Sequence, residues 1–294
     1  MMEFIDLHTH STASDGTLRP GELFMLAREI KLAAVALTDH DTVSGLDEFL
    51  ASAVDHPECE AIPGVEVACT FLSREIHIVG LFINPASPEL SGFLENARQE
   101  RLRRNRDLLV KLALLGYKLD PEMAVFGGRP LENLGRPHFA AALIEHYNFS
   151  HPREVFDKLL GRSRPAYIPR KLPDPRDAIK AIHDSGGIAV WAHPVRREAN
   201  ERAWLTRGAR KLAAMGLDGI EGYYSMFSST ETAMVTETAE RYGLALSGGS
   251  DFHGANSPDV ILGFGAGGLR IPVKLLDDLK AKRFVRSQQP VLLP

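Results

Sequence analysis

The segment Phe4-Ile5-Asp6-Leu7-His8-Thr9-His10-Ser11 predicts a short apolar strand that ends in two histidines. Side chains on a strand alternate between its two faces, so His8 and His10 point to the same side. Two imidazoles on one side of a strand end form half of a metal site, because imidazole is a common metal ligand. The rest of the chain then has to supply the other half.

Acids and histidines recur along the chain, mostly where an apolar run passes into a loop. Besides the first two histidines, the candidate ligands are Asp15, His40, Glu66, His77, His193, Asp251 and His253. Any one of them alone also fits an ordinary role in a turn, a core or a strand surface. However, Asp251 and His253 repeat the two-residue spacing, and Glu66 lies between two valines, where a carboxylate is costly without a partner. Nine ligands favour two or three divalent ions with a bridging carboxylate.

Strand and helix signals alternate over the first ninety residues and again from residue 174. The predicted strands are 4–9, 33–38, 60–71, 75–83, 188–192, 218–223 and 244–249, with a hairpin turn near 72–74. The predicted helices of these units are 20–31, 44–54, 174–185, 201–215 and 229–242, with Ser44 as a cap. Repeated strand-helix units predict an α/β fold with a mainly parallel sheet, closed or nearly closed into a barrel. Catalytic groups of such barrels gather at the carboxyl ends of the strands, where every candidate except His77 is expected.

The composition points away from a membrane protein and from a secreted one. No apolar run approaches the roughly 20 residues that a membrane span needs. The first residues lack the basic and apolar regions of a signal peptide. Cys59 and Cys69 lie in or beside one predicted strand, so we expect free thiols in a reducing compartment, the cytoplasm.

Charge is distributed unevenly along the chain. The formal net charge is −4, yet residues 98–171 hold fifteen Lys or Arg against eight Asp or Glu, a net of +7. Such a segment suits a polyanionic ligand near cationic metals, although a solvated helix face is the commoner meaning of a charge run. A long helix over 88–117 and short broken helices over 121–165 interrupt the strand-helix rhythm here. We therefore interpret 99–171 as a basic helical insertion that covers the substrate side of the site, in a discontinuous barrel of 1–98 and 172–294.

The insertion also offers candidate substrate-binding residues. Arg136 is the first choice for a phosphate clamp, because guanidinium matches phosphate oxygens bidentately. His138 and Lys171 come next. The alternative for Arg136 is a surface residue at the start of a helix.

The motif order HxH, D, DH, E, H, HP and DxH resembles the polymerase and histidinol phosphatase (PHP) family of metal-dependent phosphoesterases. The resemblance covers nearly the whole chain and implies a distorted (β/α)7 barrel. It implies one metal held by His8, His10, Glu66 and Asp251, a second by Glu66, His77 and His193, and a third by Asp15, His40 and His253. In the implied mechanism, a metal-bridging hydroxide held by Glu66, Asp251 and His193 attacks phosphorus in line. Two or three divalent ions are expected, Mn²⁺ first, with Fe²⁺ or Zn²⁺ as alternatives, since ligand type does not choose among them.

The basic insertion with Arg136-Pro137-His138 is similar to the branch that contains the 3′,5′-nucleoside bisphosphate phosphatases and the related 5′→3′ exoribonuclease RNase AM. This implies removal of the 3′-phosphate from a small nucleotide with 3′- and 5′-phosphates, such as adenosine 3′,5′-bisphosphate, to leave AMP. A 5′→3′ exonuclease acting on short 5′-phosphorylated RNA is the extension of that activity. A histidinol-phosphate phosphatase and a non-catalytic nucleic-acid or metal-binding module remain alternatives. Neither a membrane nor an obligate protein partner is expected.

Overall fold

A computed structural model describes residues 4–123, 126–128, 130–197 and 200–288. These residues form one eight-stranded sheet in the order β7-β6-β5-β4-β3-β2-β1-β8. The strands are β1 (Phe4–Asp6), β2 (Ala34–Leu37), β3 (Glu60–Phe71), β4 (Arg74–Leu81), β5 (Ile188–Ala192), β6 (Gly219–Tyr224), β7 (Ala245–Gly249) and β8 (Ile271–Pro272). Neighbours from β1 to β3 and from β5 to β7 pair in parallel, whereas β4 is antiparallel to both β3 and β5. The predicted mainly parallel sheet is thus confirmed.

Backbone hydrogen bonds close this sheet into a barrel. Leu7 N donates to Gly248 O over 3.1 Å, and Asp251 N donates to His8 O over 2.9 Å, which joins the segment after β1 to the end of β7 and the residues that follow it. The two segments approach so closely that a Cβ atom on Gly249 would lie 2.1 Å from the Cβ of His8. The prediction of a distorted α/β barrel is confirmed. Closure of the barrel depends on this contact between distant parts of the chain.

Nine α-helices lie within the described residues. They are α1 (Pro20–Glu29), α2 (Leu46–Ala51), α3 (Pro88–Leu114), α4 (Arg136–His146), α5 (Pro152–Val155), α6 (Pro175–Asp184), α7 (Glu201–Ala213), α8 (Ser229–Tyr242) and α9 (Lys274–Ser287). Proline begins α1 and α6, because its fixed φ suits the first helical turn and its missing N–H costs nothing there. The predicted cap of α2 is wrong: Gly45 is the cap residue, and Ser44 bonds Thr42 instead. Neither β8 nor α9 was predicted.

The chain divides into two compact units, Met1–Phe93 with Pro173–Pro294, and Leu94–Leu172. The first unit is the barrel, with a buried core that includes Ile5, Ile62 and Val190. The second unit buries its own cluster of leucine and phenylalanine side chains, among them Leu112 and Phe139. Residues 124, 125 and 129 of the predicted insertion, and 1–3, 198–199 and 289–294 of the predicted barrel, lie outside the described residues. None of the described helices combines the length and apolarity required to cross a bilayer.

Candidate metal centre

One rim of the barrel unit carries all nine candidate ligands. The carboxyl ends of parallel strands meet at the same edge of a barrel, so the residues that follow them converge. His8 and His10 follow β1, Asp15 lies on the loop after them, His40 follows β2, His193 follows β5, and Asp251 and His253 follow β7. Glu66 lies within β3 and His77 within β4. The structure therefore brings the predicted residues together in space.

Glu66 lies at the centre of this group, and its side chain is fully buried. Its carboxylate oxygens lie 3.3 Å from His8 Nε2, 3.4 Å from His10 Nε2, 2.7 Å from His40 Nδ1, 2.8 Å from His77 Nδ1 and 3.1 Å from His193 Nε2. Burial alone would raise the pKa of Glu66, but the surrounding imidazoles outweigh it and hold the pKa well below its usual range. Glu66 is thus a buried anion on which five histidines converge.

The antiparallel direction of β4 explains why His77 belongs to the site although it does not follow a strand. The β3–β4 hairpin turns through Leu72 and Ser73, which have φ of 48° and 64°. Because β4 starts at the rim where β3 ends, its first half lies at the level of the other ligands. His77 pairs in register with Ala68 on β3 and with Ala192 on β5, next to His193. The hairpin turn predicted near 72–74 is confirmed.

A second group of ligand atoms forms around Asp15. Its Oδ1 lies 3.2 Å from His253 Nε2, and its Oδ2 lies 3.8 Å from His40 Nε2. Burial lowers the pKa of His253, but Asp15 and then Asp251 outweigh that effect and raise it to about 9. Asp39 holds the loop that carries Asp15, because it accepts hydrogen bonds from Ser11 N, Ser11 Oγ and Ser14 Oγ at 2.5–2.8 Å.

Two ligand candidates are held in strained backbone conformations. His193 has a φ of 29° and Asp251 a φ of 58°, in a region that residues other than glycine rarely adopt. Strain of this kind costs on the order of 1–3 kcal/mol and persists where the surrounding structure imposes it. It directs Asp251 Oδ1 to within 3.2 Å of His10 Nε2 and 3.6 Å of His8 Nε2.

The donor set fits divalent cations. Within the described part of the chain, five buried polar atoms of the cluster have no hydrogen-bond partner, although such atoms are rare in folded proteins. They are His8 Nε2, His10 Nδ1, His10 Nε2, Asp15 Oδ1 and Glu66 Oε2. Three sets of ligand atoms each lie within 4.8 Å of one another: His10, Asp15, His40 and His253; His8, His10 and Glu66; His40, Glu66 and His77. Imidazole and carboxylate donors at such spacing suit Mn²⁺, Fe²⁺ or Zn²⁺.

These sets overlap with the groups implied by the family resemblance, without matching them residue for residue. The set around Asp15 also contains His10, and the set with Glu66 and His77 contains His40 rather than His193. His193 nevertheless lies within 3.1 Å of Glu66 Oε1. The assignment of individual ligands to individual ions therefore stays a prediction.

Sequence analysis did not identify two residues of β6 that contact this cluster. Glu221 is only 3% exposed; it lies 3.1 Å from His8 Nδ1 and accepts a hydrogen bond from His193 N. Tyr224 donates its hydroxyl to Asp251 Oδ2 over 3.0 Å. The acid in Ile220-Glu221-Gly222 could have been identified from the sequence. Like Glu66, it lies within an apolar run, where a carboxylate is costly without a partner.

The three predicted substrate-binding residues lie in the second unit. Arg136 is the first residue of α4, and its guanidinium lies 6.0 Å from the ring centres of Phe156 and Tyr167. His138 accepts a hydrogen bond from Gly135 N through Nδ1, so one of its ring nitrogens serves the start of α4. Lys171 is exposed. Their role in substrate binding stays a prediction.

Comparison with known proteins gives consistent matches. The PHP domain family matches residues 6–120. A 3′,5′-nucleoside bisphosphate phosphatase of Chromobacterium violaceum is 36% identical, over 86% of this chain and 88% of its own length. A 5′-3′ exoribonuclease, Rnm, of Escherichia coli is 36% identical, over 84% of both chains. A solved structure from Bifidobacterium adolescentis, of a protein predicted to be a metal-dependent phosphoesterase, superimposes with a TM-score of 0.80 at 26% identity, over 95% of this chain and 96% of that chain.

Proposed function

The chain belongs to the PHP domain family of metal-dependent phosphoesterases, and we propose that it removes the 3′-phosphate from nucleoside 3′,5′-bisphosphates, such as adenosine 3′,5′-bisphosphate. The observation that carries the proposal is the convergence of six histidines and three acids on one barrel rim. The relatives from C. violaceum and E. coli are named for activities on nucleotides and on RNA. Mn²⁺ is the proposed ion, with Fe²⁺ and Zn²⁺ as alternatives.

The residues that would hold the ions are His8, His10, Asp15, His40, Glu66, His77, His193, Asp251 and His253. When bound, divalent cations supply Lewis acidity toward phosphoryl oxygens and lower the pKa of water. The chain's own contribution is a dense, buried donor set, with Glu66 at its centre and strained backbone at His193 and Asp251 to direct their side chains. Rigid placement of charged groups before substrate arrives lowers the cost of reorganisation during the reaction.

Arg136, His138 and Lys171 are the proposed contacts to the rest of the substrate. Guanidinium offers two parallel N–H groups to phosphate, which suits recognition of the phosphate that is not cleaved. The second unit is strongly basic in sequence, but several of its arginines already pair with acids, for example Arg98 with Glu95 and Arg103 with Glu100. These paired side chains form the solvated face of α3 and already have their charge compensated. Arg136 is therefore the stronger candidate for a phosphate contact.

A 5′→3′ exoribonuclease acting on short RNA is the second candidate function. It is favoured by the E. coli relative, which is named a 5′-3′ exoribonuclease. The same chemistry serves both functions, and the difference lies in whether the substrate continues beyond the 3′-phosphate. A cytoplasmic location is part of the proposal, and the two buried free cysteines, Cys59 and Cys69, favour it.

A comparison of three substrates tests the proposal. The Mn²⁺-loaded protein is incubated with adenosine 3′,5′-bisphosphate, a 5′-phosphorylated oligoribonucleotide and histidinol phosphate, and the release of phosphate or nucleotide is measured. We expect rapid release of phosphate from the bisphosphate. Faster release of nucleotides from RNA would favour the second candidate, and turnover of histidinol phosphate alone would contradict both.

A matched pair of variants tests the role of Arg136. We expect Arg136→Ala to reduce kcat/KM for the bisphosphate about tenfold or more, and to change turnover of a simple aryl phosphate little, because the aryl substrate lacks the second phosphate. Arg153→Ala is the control, since Arg153 lies in the same unit with a side chain that is 88% exposed. Equal losses on both substrates would remove Arg136 from the substrate site.

A further inference from the structure

β6 supplies none of the nine candidate ligands, yet it contacts three of them. Glu221 bonds His8 Nδ1 over 3.1 Å through one carboxylate oxygen and His193 N over 2.6 Å through the other. Tyr224 donates its hydroxyl to Asp251 Oδ2 over 3.0 Å. One strand thus connects groups that come from β1, β5 and β7.

An irregularity in the β6–β7 pairing makes this arrangement possible. In an unbroken strand, residues three apart such as Glu221 and Tyr224 point to opposite faces. The register shifts between Glu221 and Tyr223, which leaves Gly222 as an extra residue. A bulge of this kind turns the following side chains to the other face. Glu221 and Tyr224 consequently both point toward the metal centre.

Each contact has a defined chemical effect on a ligand. A carboxylate beside His8 Nδ1 stabilises the tautomer with the proton on that nitrogen, which makes Nε2, on the side of Glu66 and Asp251, the nitrogen available to a cation. The second oxygen of Glu221 fixes the backbone of His193 at its strained φ. The Tyr224 hydroxyl occupies Asp251 Oδ2, so that Oδ1 remains the oxygen that faces His8 and His10.

We infer that β6 is a positioning strand, in which Glu221 and Tyr224 orient His8, His193 and Asp251 and so set the affinity of the centre for divalent cations. The inference rests on the proposed ligand roles of those three residues. In this role, neither Glu221 nor Tyr224 contacts the substrate.

Metal binding to the stripped protein provides a test that does not depend on turnover. Mn²⁺ affinity is measured by titration with detection of free Mn²⁺, and the visible spectrum of the Co²⁺-loaded protein reports ligand geometry. We expect Glu221→Gln to weaken Mn²⁺ binding about 10–100-fold, because an amide replaces one of the two acceptor oxygens that serve His8 and His193 by an NH2 donor. Tyr224→Phe should weaken Mn²⁺ binding by about tenfold, and both variants should alter the Co²⁺ spectrum.

The chain offers a control for each variant. Asp218 is another buried carboxylate just before β6, and it bonds a histidine, His183 Nε2, over 2.7 Å and a backbone N–H, that of Ala189, over 2.9 Å. Asp218→Asn should therefore reduce stability without changing Mn²⁺ affinity. Tyr223→Phe is the control for Tyr224→Phe, because Tyr223 packs against the barrel core.

The outcomes separate this inference from the proposed function. Unchanged Mn²⁺ affinity and an unchanged Co²⁺ spectrum in Glu221→Gln and Tyr224→Phe would overturn the positioning role, even if His8→Ala abolished binding. Full metal binding by His8→Ala would instead remove the proposed ligand roles. If Glu221→Gln does not fold, the comparison of Tyr224→Phe with Tyr223→Phe decides the question.

Discussion

Protons and divalent cations compete for the same ligand atoms, so pH should act in opposite directions on the stripped and the metal-loaded protein. The key contact is that of His77 Nδ1 with Glu66 Oε1, 2.8 Å apart. Burial lowers the pKa of His77, but the Glu66 carboxylate outweighs it and raises the pKa from 6.5 to about 10. In the stripped protein, protonated His77 therefore compensates the negative charge of the buried Glu66 carboxylate.

The sign of the effect follows from the direction of these shifts. A histidine with a raised pKa stabilises the fold fully below its unfolded pKa, and that contribution is lost as the pH rises through the folded value. For His77 the window runs from 6.5 to about 10. Glu66, with its lowered pKa, contributes above about 4.5 and loses that contribution as the pH falls. The stripped protein should thus be most stable between about pH 5 and 6.5.

The size of this loss in the free energy of unfolding follows from the same contact. A rise in pKa from 6.5 to about 10 corresponds to about 5 kcal/mol at full protonation. Because Glu66 is shared with His40 and other imidazoles, we expect a loss of about 3 kcal/mol between pH 6.5 and 9.5. A loss of this size lowers Tm by on the order of 10 °C.

Thermal melts of EDTA-treated protein at pH 6.5, 8 and 9.5 measure the slope of Tm against pH. Saturating Mn²⁺ should reverse the sign of this slope between pH 6.5 and 8, because ligand imidazoles must be neutral to bind the ion. His77→Gln should flatten the slope, while His146→Gln, at an exposed histidine of the second unit, should leave it unchanged. A constant Tm of the stripped protein over the whole range would refute the reasoning.

Three further changes have defined outcomes. His8→Ala or Asp251→Ala should abolish phosphate release and lower bound metal, measured by turnover and elemental analysis; full turnover by a metal-stripped variant would contradict the metal-dependent mechanism. Asp39→Ala leaves three donors of the Asp15 loop without an acceptor, so urea denaturation should show a loss of about 3 kcal/mol, and metal content should fall. Gly249→Ala places a Cβ 2.1 Å from that of His8 and should cost about 3 kcal/mol or more in the same assay, whereas Gly92→Ala, with open space around it, should be neutral or slightly stabilising.

Much of the barrel could be predicted from the sequence because local and tertiary preferences agree there. β3 and β5 have the predicted bounds, since each is an apolar run that ends in turn residues or in a ligand. The strand predicted over 4–9 is shorter in the sheet, where β1 ends at Asp6. After Asp6 the chain bonds the end of β7 and the segment that follows it, while Thr9 still bonds Thr38 after β2; no local pattern reveals this change of partners.

The unpredicted parts depend on contacts that a sequence pattern does not encode. Half of the residues of α9 are charged, and only Leu276 and Leu279 are buried on it, so its periodicity is weak. β8 has two residues and exists because β1 pairs with it. Glu221 was recognisable as a buried acid, but the direction of Tyr224 depends on the bulge at Gly222, which arises from pairing with β7.

The hydrogen bond from Ser250 N to Asp6 Oδ1 spans 244 residues of sequence, and it lies beside the segments that carry the first and last candidate ligands. During synthesis the histidines after β1 leave the ribosome long before their partners after β7 exist. Contacts between residues so far apart form slowly, because a long loop must first be closed. A nascent chain therefore presents an incomplete cluster of imidazoles, and the nine candidate ligands come together only after translation has passed His253.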